Sequence, residues 1–263
     1  MEATSISSSQ RDNSPLPDPV AESRRLIDVA NRKGLVARLL GGAAVYVQAP
    51  PGGPILPRLI KDIDIATRRG ARSAVTEVLI AAGYVPDHMF NALHGARRLL
   101  FYDEANLRKL DVFVGDFWMC HQIPIADRLE REPLTIPLAE LLLTKLQIVE
   151  LTERDQRDIY SLTYHHPVIE ADGPGIEAGY IAQICARDWG LWRTVKTTME
   201  RSRSAVGEYE LDASARECIE QRLAQLWLRI ESEPKTSRWR LRSRFGDRVR
   251  WYNEPEEHPQ QEQ

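Results

Sequence analysis

Apolar and polar residues alternate in two short segments of the chain, and alternation of period two is typical of strands with one buried face. In KDIDIAT, Ile63 and Ile65 point to one face of the predicted strand, whereas Asp62 and Asp64 point to the other. In RKLDVFVGD, Asp111 lies opposite a second apolar face, formed by Leu110, Val112 and Val114. If the two strands are neighbours, three carboxylates gather on one side of a sheet.

The segments before KDIDIAT also have a readable pattern. We predict a helix with Asp18 as its cap and Pro19 in its first turn, running to about Lys33, where Gly34 ends it. A strand should lead into Gly41 and Gly42, followed by a short helix over 43–47. The loop QAPPGGPILPR has four prolines and two glycines and is predicted to be irregular.

After KDIDIAT the pattern predicts a helix over about 71–82 and an antiparallel hairpin of 97–102 with 108–115 around DEAN. From Pro137 onward the spacing is helical. The predicted segments there are 138–152, 155–164, 176–187, 189–203 and 212–232. The fold class is therefore α+β: a small mixed sheet flanked by helices, followed by an α-helical domain.

Composition sets the domain organisation. A chain of 263 residues with 43% apolar residues can bury two compact cores. We divide it into a disordered, Ser- and Pro-rich N-terminus (1–17), a core domain (18–132), a helical domain (133–232), and a basic segment with a polar tail (233–263). No apolar run approaches a membrane span, and the chain starts without a signal sequence. We expect a soluble, cytoplasmic protein without a membrane partner.

Cysteine and histidine usage indicates no metal-binding or disulfide framework. The three cysteines, Cys120, Cys185 and Cys218, are scattered and lack ligand spacing. The pair His165-His166 has no acid or cysteine at ligand spacing and is interpreted as a helix end before Pro167.

The aspartate cluster predicts a bound cation. Like charges at close range repel and are costly to desolvate, so Asp62, Asp64 and Asp111 together imply a compensating ion. Ligation by oxygen alone suits Mg²⁺ or Mn²⁺ better than zinc. A D-x-D triplet by itself is also typical of a solvated strand face.

The glycine pair has two interpretations. A glycine turn that feeds a helix exposes backbone N–H groups, which bind phosphate. Alternatively, Gly41-Gly42 is a tight turn that needs a positive φ angle. Its position before KDIDIAT favours the phosphate site.

Lys145 falls within the apolar stripe of the helix predicted from Leu138. Burying an ammonium group is costly unless an acid or a phosphate lies close. Asp158 or Asp155 is the candidate partner within the chain, and a nucleoside triphosphate is the external one. A lysine that extends to solvent along its own stem is the alternative.

A basic segment near the C-terminus contrasts with the formal net charge of -3. From Lys235 to Arg250 there are seven Lys or Arg residues and one acid, Asp247, with Trp239 and Phe245 interleaved. This composition is typical of a nucleic-acid surface. The interpretation we favour is a solvated helix whose aromatic residues pack against the body of the protein.

The order of these motifs resembles the nucleotidyltransferase superfamily typified by DNA polymerase beta, in its minimal form, and within it the AbiEii-type nucleotidyltransferases, many of which are toxins of toxin–antitoxin or phage-defence systems. The resemblance covers roughly residues 35–165. It rests on GG, then D-x-D, then a third Asp on a later strand, and finally a helix with a Lys followed by an R-D pair in LAELLLTKLQIVELTERDQRDIYSL.

The resemblance implies a role for each of these residues. Asp62, Asp64 and Asp111 would hold Mg²⁺ or Mn²⁺, and Gly41 and Gly42 would bind the phosphates of an NTP such as ATP through backbone N–H groups. Two further residues complete the implied site: Lys145 would neutralise triphosphate charge, and Asp158 would orient Lys145 or assist proton transfer. The implied reaction transfers NMP to an acceptor hydroxyl and expels pyrophosphate.

Two departures from the family pattern stand out. Gly42 occupies a position where many relatives have Ser, and Ser161 replaces an acid three residues after Asp158. Three functions remain open: transfer to RNA, particularly tRNA, or protein as a toxin with an antitoxin partner; adenylylation of a small hydroxylated molecule such as an aminoglycoside; or a non-catalytic nucleotide- or RNA-binding module. The basic segment favours the first, and the intact triad disfavours the last.

Overall fold

The computed structural model describes residues 14–254. The predicted disorder over 1–17 and the polar tail therefore fall largely outside the described residues, in 1–13 and 255–263. The described chain forms two compact units. The first contains 14–47, 59–117 and 124–136, and the second contains 48–58, 118–123 and 137–254, so two short segments from within the predicted core domain are grouped with the helical unit.

The first unit begins with helix α1 (Pro19–Arg32), where Asp18 is the N-cap and accepts a hydrogen bond of 2.7 Å from the N–H of Ala21. The helix ends at its C-cap Lys33, directly before Gly34, which has a φ of +71°. Both boundaries agree with the prediction.

A five-stranded mixed sheet forms the centre of the first unit. Its strands are β1 (Ala37–Leu40), β2 (Ile63–Thr67), β3 (Val85–Pro86), β4 (Arg98–Asp103) and β5 (Arg108–Val114), in the order β1-β2-β5-β4-β3. Strands β2 and β5 are parallel, and the other neighbours are antiparallel. The predicted hairpin is thus present as β4 and β5, and the two aspartate-bearing strands are neighbours.

Three further helices belong to this part of the chain: α2 (Gly41–Gln48), α3 (Arg72–Ala81) and α4 (His88–His94). Helix α4 was not predicted, because its seven residues are too few to show a period. The irregular loop follows α2 as expected, with no helix or strand between Gln48 and Ile63. The apolar faces of β2 and β5 are buried, since Ile63, Leu110 and Val112 have no exposed surface and Ile65 has 2%.

The second unit is mainly helical. Two-residue strands pair as β6 (Phe117–Trp118) with β7 (Gln122–Ile123) and as β8 (Val168–Ile169) with β9 (Ile176–Glu177). The helices are α5 (Leu138–Leu146), α6 (Glu153–His165), α7 (Ala178–Arg187), α8 (Trp189–Ala205), α9 (Ala213–Ser232) and α10 (Ser237–Ser243). Short 3-10 turns occur in this unit at Val206–Glu208 and Gly246–Arg248, and a third, at Ala126–Arg128, belongs to the first unit.

Two predicted helix boundaries are wrong. The segment 138–152 is helical only to Leu146, because Thr152 instead caps α6 in a reciprocal capping box with Asp155. The segment 176–187 becomes helical only at Ala178, since Ile176 and Glu177 form β9. The fold class itself, a small mixed sheet with helices followed by a helical part, is confirmed. Within 14–254, every helix is too short or too polar to cross a membrane.

Candidate functional site

The first candidate cluster lies on the neighbouring parallel strands β2 and β5. Asp64 and Asp111 are Cα partners in the register of these strands. Partners in a parallel pair project to the same side of the sheet, so the two carboxylates share one face. Asp64 is half-buried and Asp111 is buried with 6% of its surface exposed. The gathering of Asp64 with Asp111 predicted from the alternation is therefore present.

Gly41, at the start of α2, borders the same cluster. Leu40 pairs with Asp64 across the antiparallel β1–β2 ladder, which brings the following residue beside the Asp64 side chain. Gly41 has a φ of +67°, and a Cβ atom built on it would lie 2.0 Å from Oδ2 of Asp64. Any side chain at position 41 would collide with the carboxylate, so both the backbone angle and the available space require glycine.

Arg98 on β4 is a member of this cluster that the sequence analysis missed. Its Nε donates to Oδ1 of Asp111 at 2.8 Å. The guanidinium also lies over the rings of Phe90, at 5.8 Å, and Phe113, at 5.4 Å. The signal available in the sequence was an arginine at the start of the hairpin strand that faces RKLDVFVGD, but its partner becomes evident only from the register.

Asp62 precedes β2 and is exposed. Within 14–254, no group of three or more His, Cys, Asp or Glu side chains has an arrangement suited to holding a metal ion. The chemistry of these carboxylates nevertheless fits a hard divalent cation. Asp64 and Asp111 offer carboxylate oxygens on one face of the sheet, and Asp62 lies two residues before Asp64 in the sequence.

The second candidate cluster belongs to the helical unit and surrounds Lys145. Its ammonium nitrogen lies 2.9 Å from Oδ2 of Asp158 and 3.4 Å from Oδ1 of Asp155. Arg58 reaches the same carboxylate in a bidentate pair, with Nε 2.7 Å from Oδ1 and Nη2 2.7 Å from Oδ2 of Asp158. The carboxylate partner that burial of Lys145 demanded is thus present on α6, and Arg58 is a second cation that the sequence analysis missed.

Neighbouring charges shift the pKa values of both Lys145 and Asp158. Burial opposes the charged form of Lys145, but the carboxylates of Asp158 and Asp155 outweigh it, so the pKa of Lys145 is raised. Burial likewise acts to raise the pKa of Asp158, and the opposing charges of Lys145 and Arg58 bring it below its ordinary value. Lys145 and Asp158 are therefore both charged at neutral pH.

No protein-family model matches this chain, and no curated protein sequence is significantly similar to it.

The two departures noted in the sequence have structural counterparts. Gly42 is buried in the first turn of α2 and supplies only backbone atoms. Ser161, which lies one turn after Asp158 on α6, is buried, and its hydroxyl has no hydrogen-bond partner among the described residues.

The histidine pair at the end of α6 is structural in character. Nε2 of His165 accepts a hydrogen bond of 3.0 Å from the N–H of Ile55. Burial lowers the pKa of His165 and lowers that of His166 to about 4. His165 therefore acts as a neutral acceptor for the loop after α2, within the helical unit.

Proposed function

We propose that this protein is a metal-dependent nucleotidyltransferase that moves NMP from an NTP to an acceptor hydroxyl and releases pyrophosphate. The proposal is carried by one observation, the Asp64 carboxylate packed against a glycine that cannot accept a side chain, beside its register partner Asp111. A glycine at a helix start provides backbone N–H donors for phosphate, and adjacent carboxylates provide oxygen ligands. Their juxtaposition is what phosphoryl transfer requires.

The chain's own residues would contribute mainly positioning and charge. Asp62, Asp64 and Asp111 would hold the divalent ion, which when bound neutralises phosphate charge and lowers the pKa of a hydroxyl. Gly41 and Gly42 would direct the first N–H groups of α2 towards the phosphates. Arg98 would position Asp111 through its 2.8 Å contact, so that the carboxylate keeps one orientation while ligands exchange.

Lys145 and Asp158 would serve as a positioned ion pair. The resemblance leaves two roles for Asp158, orientation of Lys145 and proton transfer. The 2.9 Å contact with Lys145 supports orientation, and the lowered pKa of Asp158 makes that carboxylate a weak base at neutral pH. We therefore propose that Asp158 holds Lys145 extended for a triphosphate oxygen.

A labelled-transfer assay tests this function. Purified protein with Mg²⁺ and each α-labelled NTP is incubated with total RNA, cell protein and an aminoglycoside panel, and label is followed in each acceptor. Asp64→Asn keeps the side-chain size and should reduce transfer at least about a thousandfold, since it removes a charge that acts on the transition state. Asp28→Asn, at an exposed position of α1, is the matched control. Equal activity in the Asp64 variant would refute the proposal.

A second acceptor class is favoured by a cavity of about 740 Å³ within the helical unit. Three carboxylates, those of Glu153, Glu208 and Glu210, line it together with Tyr209. Arg157 also lines the cavity, where it pairs with Glu153 at 2.8 Å and lies over the Tyr209 ring at 5.6 Å. The carboxylates of Glu208 and Glu210 suit an acceptor that carries several amino groups, such as an aminoglycoside. Transfer to aminoglycosides alone, lost in Glu208→Gln/Glu210→Gln, would establish this alternative over RNA.

A further inference from the structure

The basic segment near the C-terminus presents a charged surface in the helical unit. We define the arginine surface by the exposed residues Arg238, Arg240, Arg244, Arg248 and Phe245, which come from α10 and the turn that follows it. Phe245 has 54% of its surface exposed. These side chains are exposed, whereas the neighbouring Trp239 and Trp251 are half-buried.

The tryptophans of this segment pack against the helical unit. Trp239 contacts Trp192 with a ring separation of 5.2 Å, and Trp251 contacts Trp189 at 6.2 Å. The guanidinium of Arg242 lies 4.5 Å from the centroid of the Trp189 ring, so Arg242 contributes to packing and is left out of the arginine surface. The interpretation of a helix with its aromatics packed inward is right for the tryptophans, and it leaves the arginine surface unexplained.

The ion pairs of this segment involve residues outside the arginine surface. Asp247 pairs with Arg193 on α8 at 2.9 Å, and Glu254 pairs with Arg250 at 2.5 Å. Among residues 14–254, the guanidinium groups of the four surface arginines make no ion pair or side-chain hydrogen bond. Four unpaired guanidinium groups close in sequence form a concentrated positive potential, which attracts a polyanion.

We propose that the arginine surface binds single-stranded RNA. Arginine pairs with phosphate oxygens in bidentate fashion, and several such contacts along one short segment match the repeat of a nucleic-acid backbone. Phe245 lies among the arginines with its ring exposed, where an unpaired base can stack on it. This inference rests on the proposed function in one respect, since the bound RNA would supply the acceptor hydroxyl.

The placement of Phe245 favours a single strand over a duplex, because bases within a duplex are already stacked and leave no face for an aromatic ring. An anionic membrane is the competing polyanion, since Leu241 and Val249 are also exposed, at 59% and 51%. Helix α10 has only seven residues, which limits the apolar face it could bury in a bilayer.

The test is fluorescence anisotropy of the full chain with a labelled 20-nucleotide single-stranded RNA, in EDTA and without NTP. Arg238→Ala/Arg240→Ala/Arg244→Ala/Arg248→Ala should weaken binding at least about tenfold and flatten its salt dependence, since each lost phosphate contact lowers the salt slope. The matched control removes four exposed arginines elsewhere on the protein, as Arg24→Ala/Arg32→Ala/Arg154→Ala/Arg203→Ala, and should change affinity less than about twofold.

Phe245→Ala separates stacking from charge. It should weaken binding of the single strand on the order of fivefold and leave binding of the matching duplex unchanged. Thermal melts of all variants verify that they fold. Absent RNA binding, equal losses in the control variant, or preferential binding of vesicles with anionic lipid would each overturn the inference.

The two proposals fail separately. Binding in EDTA does not depend on catalysis, so a protein that transfers label but does not bind the RNA refutes only this inference. Retained RNA binding with undiminished transfer by Asp64→Asn refutes only the proposed chemistry.

Discussion

A Cβ atom on Gly41 would lie 2.0 Å from Oδ2 of Asp64, a separation that no pair of non-bonded atoms can adopt. Gly41, the first residue of α2, therefore packs directly against the side chain of Asp64 in KDIDIAT. This contact links two motifs separated by a long irregular loop, and it makes position 41 the most sensitive point of the candidate site.

Gly41→Ala should therefore impair both stability and transfer. Alanine in a left-handed conformation costs about 1–2 kcal/mol, and displacement of the Asp64 carboxylate adds to that. Gly34→Ala is the matched control, because Gly34 has a φ of +71° with nothing within 4 Å of the added Cβ. Chemical denaturation and label transfer should show a larger stability loss at position 41, and loss of activity there alone. Equal behaviour of the two variants would contradict the contact.

Arg98 and Asp111 form a buried ion pair, with side-chain exposures of 11% and 9%. Removing one partner of such a pair leaves a charge with poorer compensation, so Arg98→Ala should lower the unfolding free energy by about 3 kcal/mol. A double-mutant cycle that combines Arg98→Ala with Asp111→Ala should give an interaction free energy of about 1–3 kcal/mol between the two side chains.

The control for that cycle is the exposed pair Arg68 and Glu130 in the same unit, with exposures of 50% and 64%. Exposed pairs contribute little, so Arg68→Ala should cost less than about 1 kcal/mol. If the interaction free energy between Arg98 and Asp111 is no larger than that between Arg68 and Glu130, Arg98 does not position the Asp111 carboxylate.

Much of the first unit could be predicted from the alternation of polar and apolar residues. Ile63 and Ile65 are buried as expected, and the neighbouring strand contributes Asp111 at the register position of Asp64. Local patterns determine which face each side chain occupies, and they predict the carboxylate pair on the added condition that the two strands are neighbours.

The arginines of both clusters were beyond the reach of local patterns. Arg58 lies in an irregular loop and meets Asp158 100 residues later, so no spacing rule connects them. Arg98 meets Asp111 through the strand register, which a sequence pattern leaves undetermined. The early end of helix α5 is a different case, because the capping box of Thr152 and Asp155 that starts α6 is a local spacing that the sequence analysis missed.

The Lys145–Asp158 pair should give a distinctive pH dependence. The pKa of Asp158 is lowered in the folded state, so the stability that it contributes is present above the unfolded pKa near 3.8 and is lost as pH falls through the folded value. The pKa of Lys145 is raised, so its contribution is complete below 10.5 and is lost as pH rises through the folded value.

Lys145→Met should therefore cost about 3 kcal/mol at neutral pH, where it leaves Asp158 with one cation fewer. The difference from the wild type should shrink at pH values above 10.5. Lys196→Met is the control, since the side chain of Lys196 is 39% exposed and its ammonium nitrogen lies 3.9 Å from the Glu200 carboxylate. Urea denaturation over a pH series measures both, and a pH-independent difference would count against the ion pair.

His121 should make the protein sensitive to mild acid. The ring is buried and its Nε2 lies 2.8 Å from Oγ1 of Thr194. The same Oγ1 accepts a hydrogen bond of 3.1 Å from the indole N–H of Trp251. Burial lowers the pKa of His121 to about 4, against a weaker opposing effect of Asp188. Between about pH 6.5 and 4 the imidazole of His121 is therefore protonated in the unfolded chain but neutral in the folded chain. The unfolding free energy consequently falls as pH decreases through this range.

The full effect of His121 amounts to about 3 kcal/mol, because each pKa unit corresponds to about 1.4 kcal/mol. His121→Gln should give a shallower fall in stability between pH 6.5 and 4, with the remaining slope carried in part by His166, whose pKa is also lowered to about 4. His88→Gln, at an exposed position, should leave the slope unchanged. If the His121 variant keeps the wild-type slope, the ring must already accept a proton in the folded protein, and its bond to Thr194 would then have Nε2 as the donor.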